Sequence, residues 1–291
     1  MNNILLISFL FSLTSLSNGQ TSDSTVIEDC YSPSPSFLWP EEFDKELSLE
    51  DKLPPNSLQI YSYKGSKFFI YKIKRTSKNI HLDGYDQFGK PRFYTLKNFI
   101  STVMRENVVD LEFAMNGGMY DGSNRPVGLF VSNEKIIQKL DTQTLNPNEV
   151  NFYLQPNGVF YSYFDNDGKL IWDVSTTKSF INQSQVKCLK IKDATQSGPM
   201  LISDCMINKA FGVKSHNKKI RNAVGVSKDN VYFVMSYAEI NFFDMANFML
   251  SLKVEDALYL DGVVSQFYYH PKKRFFGSSV PIGPIISIYE K

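Results

Sequence analysis

The stretch GVFYSYFDNDGKLIWDV, residues 158–174, decides the class of fold. It places two segments rich in β-branched and aromatic residues, Gly158–Phe164 and Lys169–Val174, on either side of the turn residues Asn166-Asp167-Gly168. Such segments favour strands, and an Asp-Gly turn between them is typical of a hairpin. The stretch therefore predicts two antiparallel strands joined by a tight turn.

Similar segments lie on both sides of this hairpin. Those predicted as strands are Leu58–Ser62, Phe68–Lys74, Val109–Met115, Val127–Val131, Asn222–Ser227, Val231–Ser236, Ala257–Leu260 and Ile282–Tyr289. Apolar residues at helical spacing predict two helices, Thr95–Arg105 and Phe242–Leu252. Because strands outnumber helices and many are joined as hairpins, the sequence predicts a single α+β domain. It would have a mixed, largely antiparallel twisted sheet with a few flanking helices.

The first residues are typical of a secretory signal. Ile4–Leu13 is an apolar run about half as long as the roughly 20 residues that a membrane span needs, and small polar residues follow it. A cleaved signal peptide is predicted over residues 1–19, with a membrane anchor as the alternative. Residues 20–55, rich in Ser, Pro, Asp and Glu, are predicted to be an N-terminal extension, and 56–291 the domain. We therefore expect an exported protein with no membrane span after signal removal.

Composition excludes several classes of protein. The chain has 31 basic and 30 acidic residues and no basic stripe in its sequence, which argues against a nucleic-acid partner. P-loop, Gly-x-Ser-x-Gly, His-Glu-x-x-His and Cys-x-x-Cys motifs are absent, so no metal or cofactor is predicted. The segment Asp165–Gly168 matches part of a calcium loop, but the terminal glutamate of such a loop is missing and a hairpin turn explains the segment fully. Of three cysteines, Cys188 and Cys205 either pair with each other or are free buried thiols, and Cys30 then pairs elsewhere or is unpaired.

Four motifs place polar residues and glycines where strands end. Consecutive glycines let backbone N–H groups converge on an anion, and an arginine grips phosphate with two parallel hydrogen bonds. A carboxylate at the end of a buried strand is a candidate catalytic group. Taken singly, each motif also fits an ordinary turn or a surface arginine. The motifs are Asn116-Gly117-Gly118-Met119-Tyr120-Asp121-Gly122, Gln196-Ser197-Gly198-Pro199, Arg221-Asn222-Ala223 and Leu260-Asp261-Gly262-Val263-Val264-Ser265.

The order and wording of these motifs, together with Pro126–Leu129 and Asn157–Phe160, resemble the phosphodiester glycosidase family, in particular its secreted bacterial branch. The characterised animal member of that family removes N-acetylglucosamine from a phosphodiester on a glycan. The resemblance therefore implies hydrolysis of a sugar–phosphate diester, with a glycan or a small sugar phosphate as substrate. Two departures, Val263-Val264 in place of two glycines and Asn222 in place of threonine, leave the sugar undefined.

On this resemblance we expect the following roles. Arg221, with N–H groups around Gly117-Gly118, holds the phosphate, and Asp261 is the nucleophile or general base. Asp121 and Glu239 are candidates for a second carboxylate. Residues expected to contact the sugar or line its site are Asn116, Gln196, Ser197, Gly198, Asn222, Gly262 and Ser265. Two other functions use the same pocket: a non-catalytic carbohydrate-binding protein, and a phosphodiesterase that cuts on the other side of the phosphate.

Overall fold

The computed structural model describes residues 53–105, 110–143, 151–186, 188–261, 264–277 and 280–290, all within a compact unit that spans residues 38–291. The predicted signal peptide, residues 20–52 of the predicted extension, Cys30 and Gly262 lie outside the described residues.

The described residues form three helices, α1 (Leu96–Arg105), α2 (Thr177–Val186) and α3 (Phe242–Ser251). None of these helices is long and apolar enough to span a bilayer. The strands are β1 (Ser57–Tyr63), β2 (Ser66–Lys74), β3 (Ile80–Asp83), β4 (Asp110–Asn116), β5 (Phe130–Ser132), β6 (Lys135–Gln138), β7 (Gly158–Phe164), β8 (Leu170–Thr176), β9 (Lys190–Ser197), β10 (Met200–Ser203), β11 (Met206–Ile207), β12 (Asn222–Val226), β13 (Asn230–Ser236), β14 (Asp256–Tyr259), β15 (Phe267–Tyr269), β16 (Arg274–Phe276) and β17 (Ile285–Glu290).

The strands divide into three sheets. A seven-stranded sheet has the order β1-β2-β13-β12-β14-β10-β11, and two five-stranded sheets have the orders β16-β15-β4-β17-β3 and β6-β5-β9-β7-β8. Every pairing between these described strands is antiparallel. The predicted α+β class is confirmed, with three sheets where the sequence suggested one.

The hairpin predicted over residues 158–174 is confirmed as β7 and β8, with Phe164 opposite Leu170 next to the turn. The Asp165 carboxylate accepts hydrogen bonds from the Asp167 and Lys169 N–H groups at 3.0 and 2.8 Å. These two bonds are the ordinary chemistry of an Asx turn, so the resemblance to a calcium loop has a structural explanation.

The sequence did not predict seven of the strands, namely β3, β6, β9, β10, β11, β15 and β16. One predicted strand and one helix also differ from the expectation. The strand expected at Val127–Val131 begins only at Phe130, because the Leu129 N–H donates to the Gln196 side chain instead of to a neighbouring strand. Helix α2 gave a weak signal, because only Thr177 and Phe180 on it are buried and the rest of its residues are largely polar.

The main core lies between the sheets and draws aromatic and aliphatic residues from all three of them. A second core covers the opposite face of the seven-stranded sheet, where α3 packs. There Phe248 stacks on Phe68 with ring centroids 3.7 Å apart. Asn241 caps α3 by accepting a hydrogen bond from the Asp244 N–H at 2.8 Å, which fixes the start of the helix beside the sheet.

Arg75 joins two of the sheets at the end of β2. Its Nε donates to the Trp172 carbonyl at 2.7 Å, and its Nη2 pairs with the Asp173 carboxylate at 2.6 Å. The guanidinium is partly buried and carries a carboxylate partner, as buried charges in proteins normally do.

The cysteines do not follow either predicted arrangement in full. Cys205 is disulfide-bonded, whereas Cys188 is a free, exposed thiol. The predicted pair between Cys188 and Cys205 is therefore wrong, and so is the alternative in which both are free and buried.

Asp256, the first residue of β14, lies in a small polar pocket shared with Asp173, Asp204 and Glu255. Its carboxylate accepts a hydrogen bond from the Asp204 N–H at 3.2 Å. Burial is the largest effect on this carboxyl group and, together with the neighbouring negative charges, raises its pKa to about 7.

The free energy of unfolding should therefore fall as the pH rises from about 4 to about 7. Asp256 in the unfolded chain titrates near its ordinary pKa of 3.8, so between about pH 4 and 7 the native state binds more protons than the unfolded state. We expect Asp256→Asn to flatten this slope and to raise the free energy of unfolding at pH 8, measured by urea unfolding between pH 5 and 8. An unchanged slope in the variant would contradict the assignment.

Candidate active site

The four polar motifs meet at one end of the strands. The Asp261 N–H donates to the Gly117 carbonyl at 3.2 Å, and the Leu260 N–H donates to the Asn222 carbonyl at 3.1 Å. The Tyr259 N–H donates to the Pro199 carbonyl at 3.0 Å. Segments that are up to 145 residues apart in the chain thus become direct neighbours. The described residues of the four motifs share one region of the fold.

Asn116 links these motifs through the hydrogen bonds of its side-chain amide. It is 1 % exposed, and its Nδ2 donates to the Asp261 carbonyl at 2.7 Å. Its Oδ1 accepts from the Gln266 N–H at 2.8 Å and from the Asn222 Nδ2 at 3.1 Å. Three of the four hydrogen bonds that this amide can make are formed within the protein, so Asn116 positions the chain that carries Asp261.

Gly117 and Gly118 are required by close packing. The Gly117 N–H donates to the Pro284 carbonyl at 2.7 Å, so it is not available for an anion. A Cβ on Gly118 would lie 2.5 Å from both the Gln196 carbonyl oxygen and the Thr195 Oγ1. Within the described chain the Gly118 N–H makes no backbone hydrogen bond, which leaves it as the one expected anion donor of this pair.

Gln196 also belongs to the framework. Its Oε1 accepts from the N–H groups of Leu129 and Asp141 at 2.9 and 3.0 Å, and its Nε2 donates to the Asp141 carbonyl at 2.7 Å and to the Thr177 hydroxyl at 3.2 Å. These four bonds use the whole amide. Gln196 therefore holds the segments around Leu129 and Asp141 against β9, and no hydrogen-bonding capacity is left for a sugar.

Arg221 lies at the start of β12 and is 0 % exposed. Its Nε donates to the Ile240 carbonyl at 2.8 Å, and its Nη2 donates to the Asn217 carbonyl at 2.7 Å. The guanidinium lies over the Phe242 ring at 3.6 Å from the centroid. Its Nη1 is buried and has no hydrogen-bond partner. The side chain is rigidly held, with one terminal nitrogen uncommitted.

The charge of Arg221 has no carboxylate partner. Burial lowers the pKa of the guanidinium, and the effect is opposed by the neighbouring Tyr259. None of the ion pairs among the described residues includes Arg221, in contrast to Arg75, which pairs with Asp173. A buried charge is normally paired, because removing an ion from water costs several kcal/mol. The region around Arg221 is thus suited to an anion.

Asp261 is half-buried and follows directly on β14. Burial, and secondly the charge of Asp261, raise the pKa of Tyr120 to about 12, so the two side chains are close enough to interact electrostatically. The Tyr120 hydroxyl donates to the Pro281 carbonyl at 2.6 Å, which fixes the ring. Tyr120 was not among the expected site residues, although it stands within the first motif.

The two candidates for a second carboxylate are placed differently. The Asp121 Oδ1 accepts from the N–H groups of Ser123 and Arg125 at 2.8 and 3.0 Å, and the Asp121 Oδ2 pairs with the Arg125 Nη2 at 3.3 Å. Burial pushes the pKa of Asp121 up, but the N–H donors and Arg125 outweigh it and the pKa is lowered. Asp121 is therefore an ionised turn residue. Glu239 is exposed, next to Ile240.

Four buried polar atoms of these motifs and their neighbours have no hydrogen-bond partner within the described protein. They are Thr195 Oγ1, Ser197 Oγ, Asn222 Oδ1 and Gln266 Oε1. Buried polar atoms are nearly always paired in proteins, so these atoms are open to water or to a polar ligand. Ser265, by contrast, donates its hydroxyl to the Ile220 carbonyl at 3.1 Å.

Three further residues lie in or next to the motifs: Gly198, Thr195 and Gln266. A Cβ on Gly198 would lie 2.8 Å from the Phe152 carbonyl oxygen, so this glycine is needed for packing. Sequence reasoning missed Gln266 and Thr195, although each is adjacent to an expected residue, Ser265 and Gln196. Extending each motif by one residue would have found both.

Comparison with known proteins matches the part of the chain that contains the four motifs. A family model described as phosphodiester glycosidase matches residues 110–286, which contain all four motifs. The uncharacterized protein YigE of Escherichia coli (strain K12) is 38 % identical over 160 residues, which cover 54 % of this chain and 58 % of that protein. The chain thus matches less than two thirds of the length of YigE.

A solved structure has the same fold. It is the zebrafish N-acetylglucosamine-1-phosphodiester alpha-N-acetylglucosaminidase catalytic domain auto-inhibited by pro-peptide. The match covers 81 % of this chain and 82 % of that one, with a TM-score of 0.51 and 14 % sequence identity. At this identity the likeness establishes the fold alone.

Proposed function

The chain belongs to the phosphodiester glycosidase family, and from that premise we propose that it hydrolyses the glycosidic bond of a sugar-1-phosphate diester. The products are a free sugar and a phosphomonoester. The observation that carries this proposal is the fully buried Arg221, whose charge no carboxylate of the described chain neutralises. The phosphate of the substrate supplies the missing negative charge.

Arg221 and Gly118 form the anion site in this proposal. Arg221 contributes Nη1, and the Gly118 N–H contributes a second donor. Helix α3 begins at Phe242, the residue on which the guanidinium lies, so the positive end of the helix dipole adds to the same field. These positive groups stabilise the charge that develops on the phosphate as it leaves.

Asp261 is the general base. It takes a proton from a water molecule, whose oxygen forms a bond to the anomeric carbon of the sugar. The bond between that carbon and the phosphate oxygen breaks, and its electron pair leaves with the phosphate. Asn116 positions Asp261 through the 2.7 Å hydrogen bond to its carbonyl, and Tyr120 lies beside it.

One carboxylate is sufficient for this reaction. A phosphate with its charge stabilised leaves without protonation, so the general acid of ordinary glycosidases is not needed. Asp121 is held in its turn by two N–H groups and Arg125, and Glu239 is exposed. Neither residue is assigned a catalytic role here. Displacement by water with a single base would invert the configuration of the anomeric carbon.

An exported location is part of the proposal. The apolar run at Ile4–Leu13 is typical of a secretory signal, and Cys205 is disulfide-bonded. Disulfides persist mainly in oxidising compartments outside the cytoplasm. Both observations support activity on a substrate outside the cytoplasm.

Asp261→Asn should abolish turnover of a panel of sugar-1-phosphate diesters, because the amide cannot accept the proton from water. Rates are to be measured as release of free sugar, with thermal unfolding as a check of the fold. Glu239→Gln and Asp121→Asn are matched controls that also remove one negative charge, and both should retain most of the activity. An Asp261→Asn protein with an undiminished rate would remove Asp261 from the mechanism.

Arg221→Lys should weaken binding of the diester by about tenfold or more, because lysine keeps the charge but loses the guanidinium whose Nε and Nη2 are fixed by the Ile240 and Asn217 carbonyls and whose Nη1 is left for the phosphate. Affinity for inorganic phosphate should fall in parallel, while affinity for the free sugar stays the same. Arg75→Lys is the control. Arg75 is a partly buried arginine whose charge already has a carboxylate partner, Asp173, so its replacement should not change the affinity for phosphate. Equal phosphate affinity in the Arg221→Lys protein and the wild type would disprove the anion site.

A further inference from the structure

A strongly basic loop covers the buried Arg221. Residues 208–219, between β11 and β12, contain no regular helix or strand. This segment, the basic loop, carries four lysines and one histidine, all exposed, and no acidic residue: Lys209, Lys214, His216, Lys218 and Lys219. The whole chain has 31 basic and 30 acidic residues, so the rest of the chain is net acidic. Positive charge is therefore concentrated on this loop.

The charges of the loop are not neutralised by the protein. None of the ion pairs in the described part of the chain involves its lysines. Exposed charges of one sign repel each other and attract ions of opposite sign over about 10 Å at ordinary salt concentrations. Such a surface favours an anionic partner.

The loop is tied to the proposed active site. Asn217 accepts the hydrogen bond from Arg221 Nη2, and Asn241, the cap of α3, donates to the carbonyls of Val213 and Ser215 at 3.3 and 3.4 Å. Phe211 stacks on Phe242 with ring centroids 5.0 Å apart, and Phe242 lies under the Arg221 guanidinium. The basic loop thus packs directly over the buried Arg221 and the start of α3.

We propose that the substrate is a polyanionic glycan whose repeats are joined by sugar-1-phosphate diesters, and that the basic loop binds the phosphates next to the one being cleaved. This inference rests on the proposed function for the position of the scissile phosphate at Arg221. An isolated diester carries one negative charge, which Arg221 alone would balance. Four further lysines match a chain with a charge in every repeat.

The exposed surface of the loop favours a glycan over a nucleic acid. Single-stranded nucleic acids are held by aromatic side chains on which the bases stack. Phe211 is the loop's one Phe, Tyr or Trp side chain, and it is partly buried against Phe242. The loop therefore presents positive charge without a stacking platform.

The test is binding of a polysaccharide whose repeats are joined by sugar-1-phosphate diesters, measured by calorimetry in the Asp261→Asn background so that no turnover occurs. Replacing all four loop lysines by glutamine should weaken binding by about tenfold or more at low salt, and the difference from the unsubstituted protein should vanish at high salt. Binding of a small methyl diester of a sugar 1-phosphate should change by less than about twofold.

The matched control replaces four exposed lysines elsewhere, Lys90, Lys135, Lys169 and Lys178, by glutamine and changes the net charge equally. It should bind the polysaccharide as the unsubstituted protein does. Equal affinities of the loop variant and the control would overturn the inference, and so would binding of single-stranded DNA as tight as that of the polysaccharide. Binding of the polymer through the loop without hydrolysis of any diester would contradict the proposed function and would leave only polymer binding by the basic loop in place.

Discussion

The candidate site depends on the hydrogen bonds made by the side-chain amide of Asn116. This amide bonds to the chain at Asp261, Asn222 and Gln266, and so fixes the ends of strands from two sheets to each other. With the amide in place, Gly117 and Gly118 pack closely against Pro284 and β9, and the carboxylate of Asp261 is presented beside Tyr120. Without it, three of the hydrogen bonds that join these strand ends would be lost.

The sequence was sufficient for the class of fold, and the motifs that it singled out lie together in the structure. Asp-Gly and Lys-Gly turns between aromatic segments specify hairpins locally, and the antiparallel pairings follow from them. The division into three sheets could not be foreseen, because it depends on pairings such as Asn116 with Ile285, which are set by packing between distant segments. Helix α2 was missed because its apolar face is limited to two buried residues.

The roles of individual site residues were harder to predict than their location. Gln196 and Asn116 have the residue type of sugar-binding amides, yet most of the hydrogen bonds that they can make are formed within the protein. Sequence reasoning cannot count hydrogen bonds between residues that meet only in the fold. For Arg221 the informative observation is that, among the described residues, no carboxylate forms an ion pair with its buried guanidinium. A sequence does not reveal which charges lack a partner. The family membership and the uncompensated buried guanidinium together support a site for a phosphate diester.

The central claim, cleavage between the anomeric carbon and the phosphate oxygen, is tested most directly by hydrolysis of a sugar-1-phosphate diester in water enriched in oxygen-18. Mass spectrometry of the products then locates the label. The account predicts the label in the free sugar and none in the phosphomonoester. Label in a phosphate-containing product would mean that the phosphorus–oxygen bond is broken, and would contradict the assignment of the protein as a glycosidase.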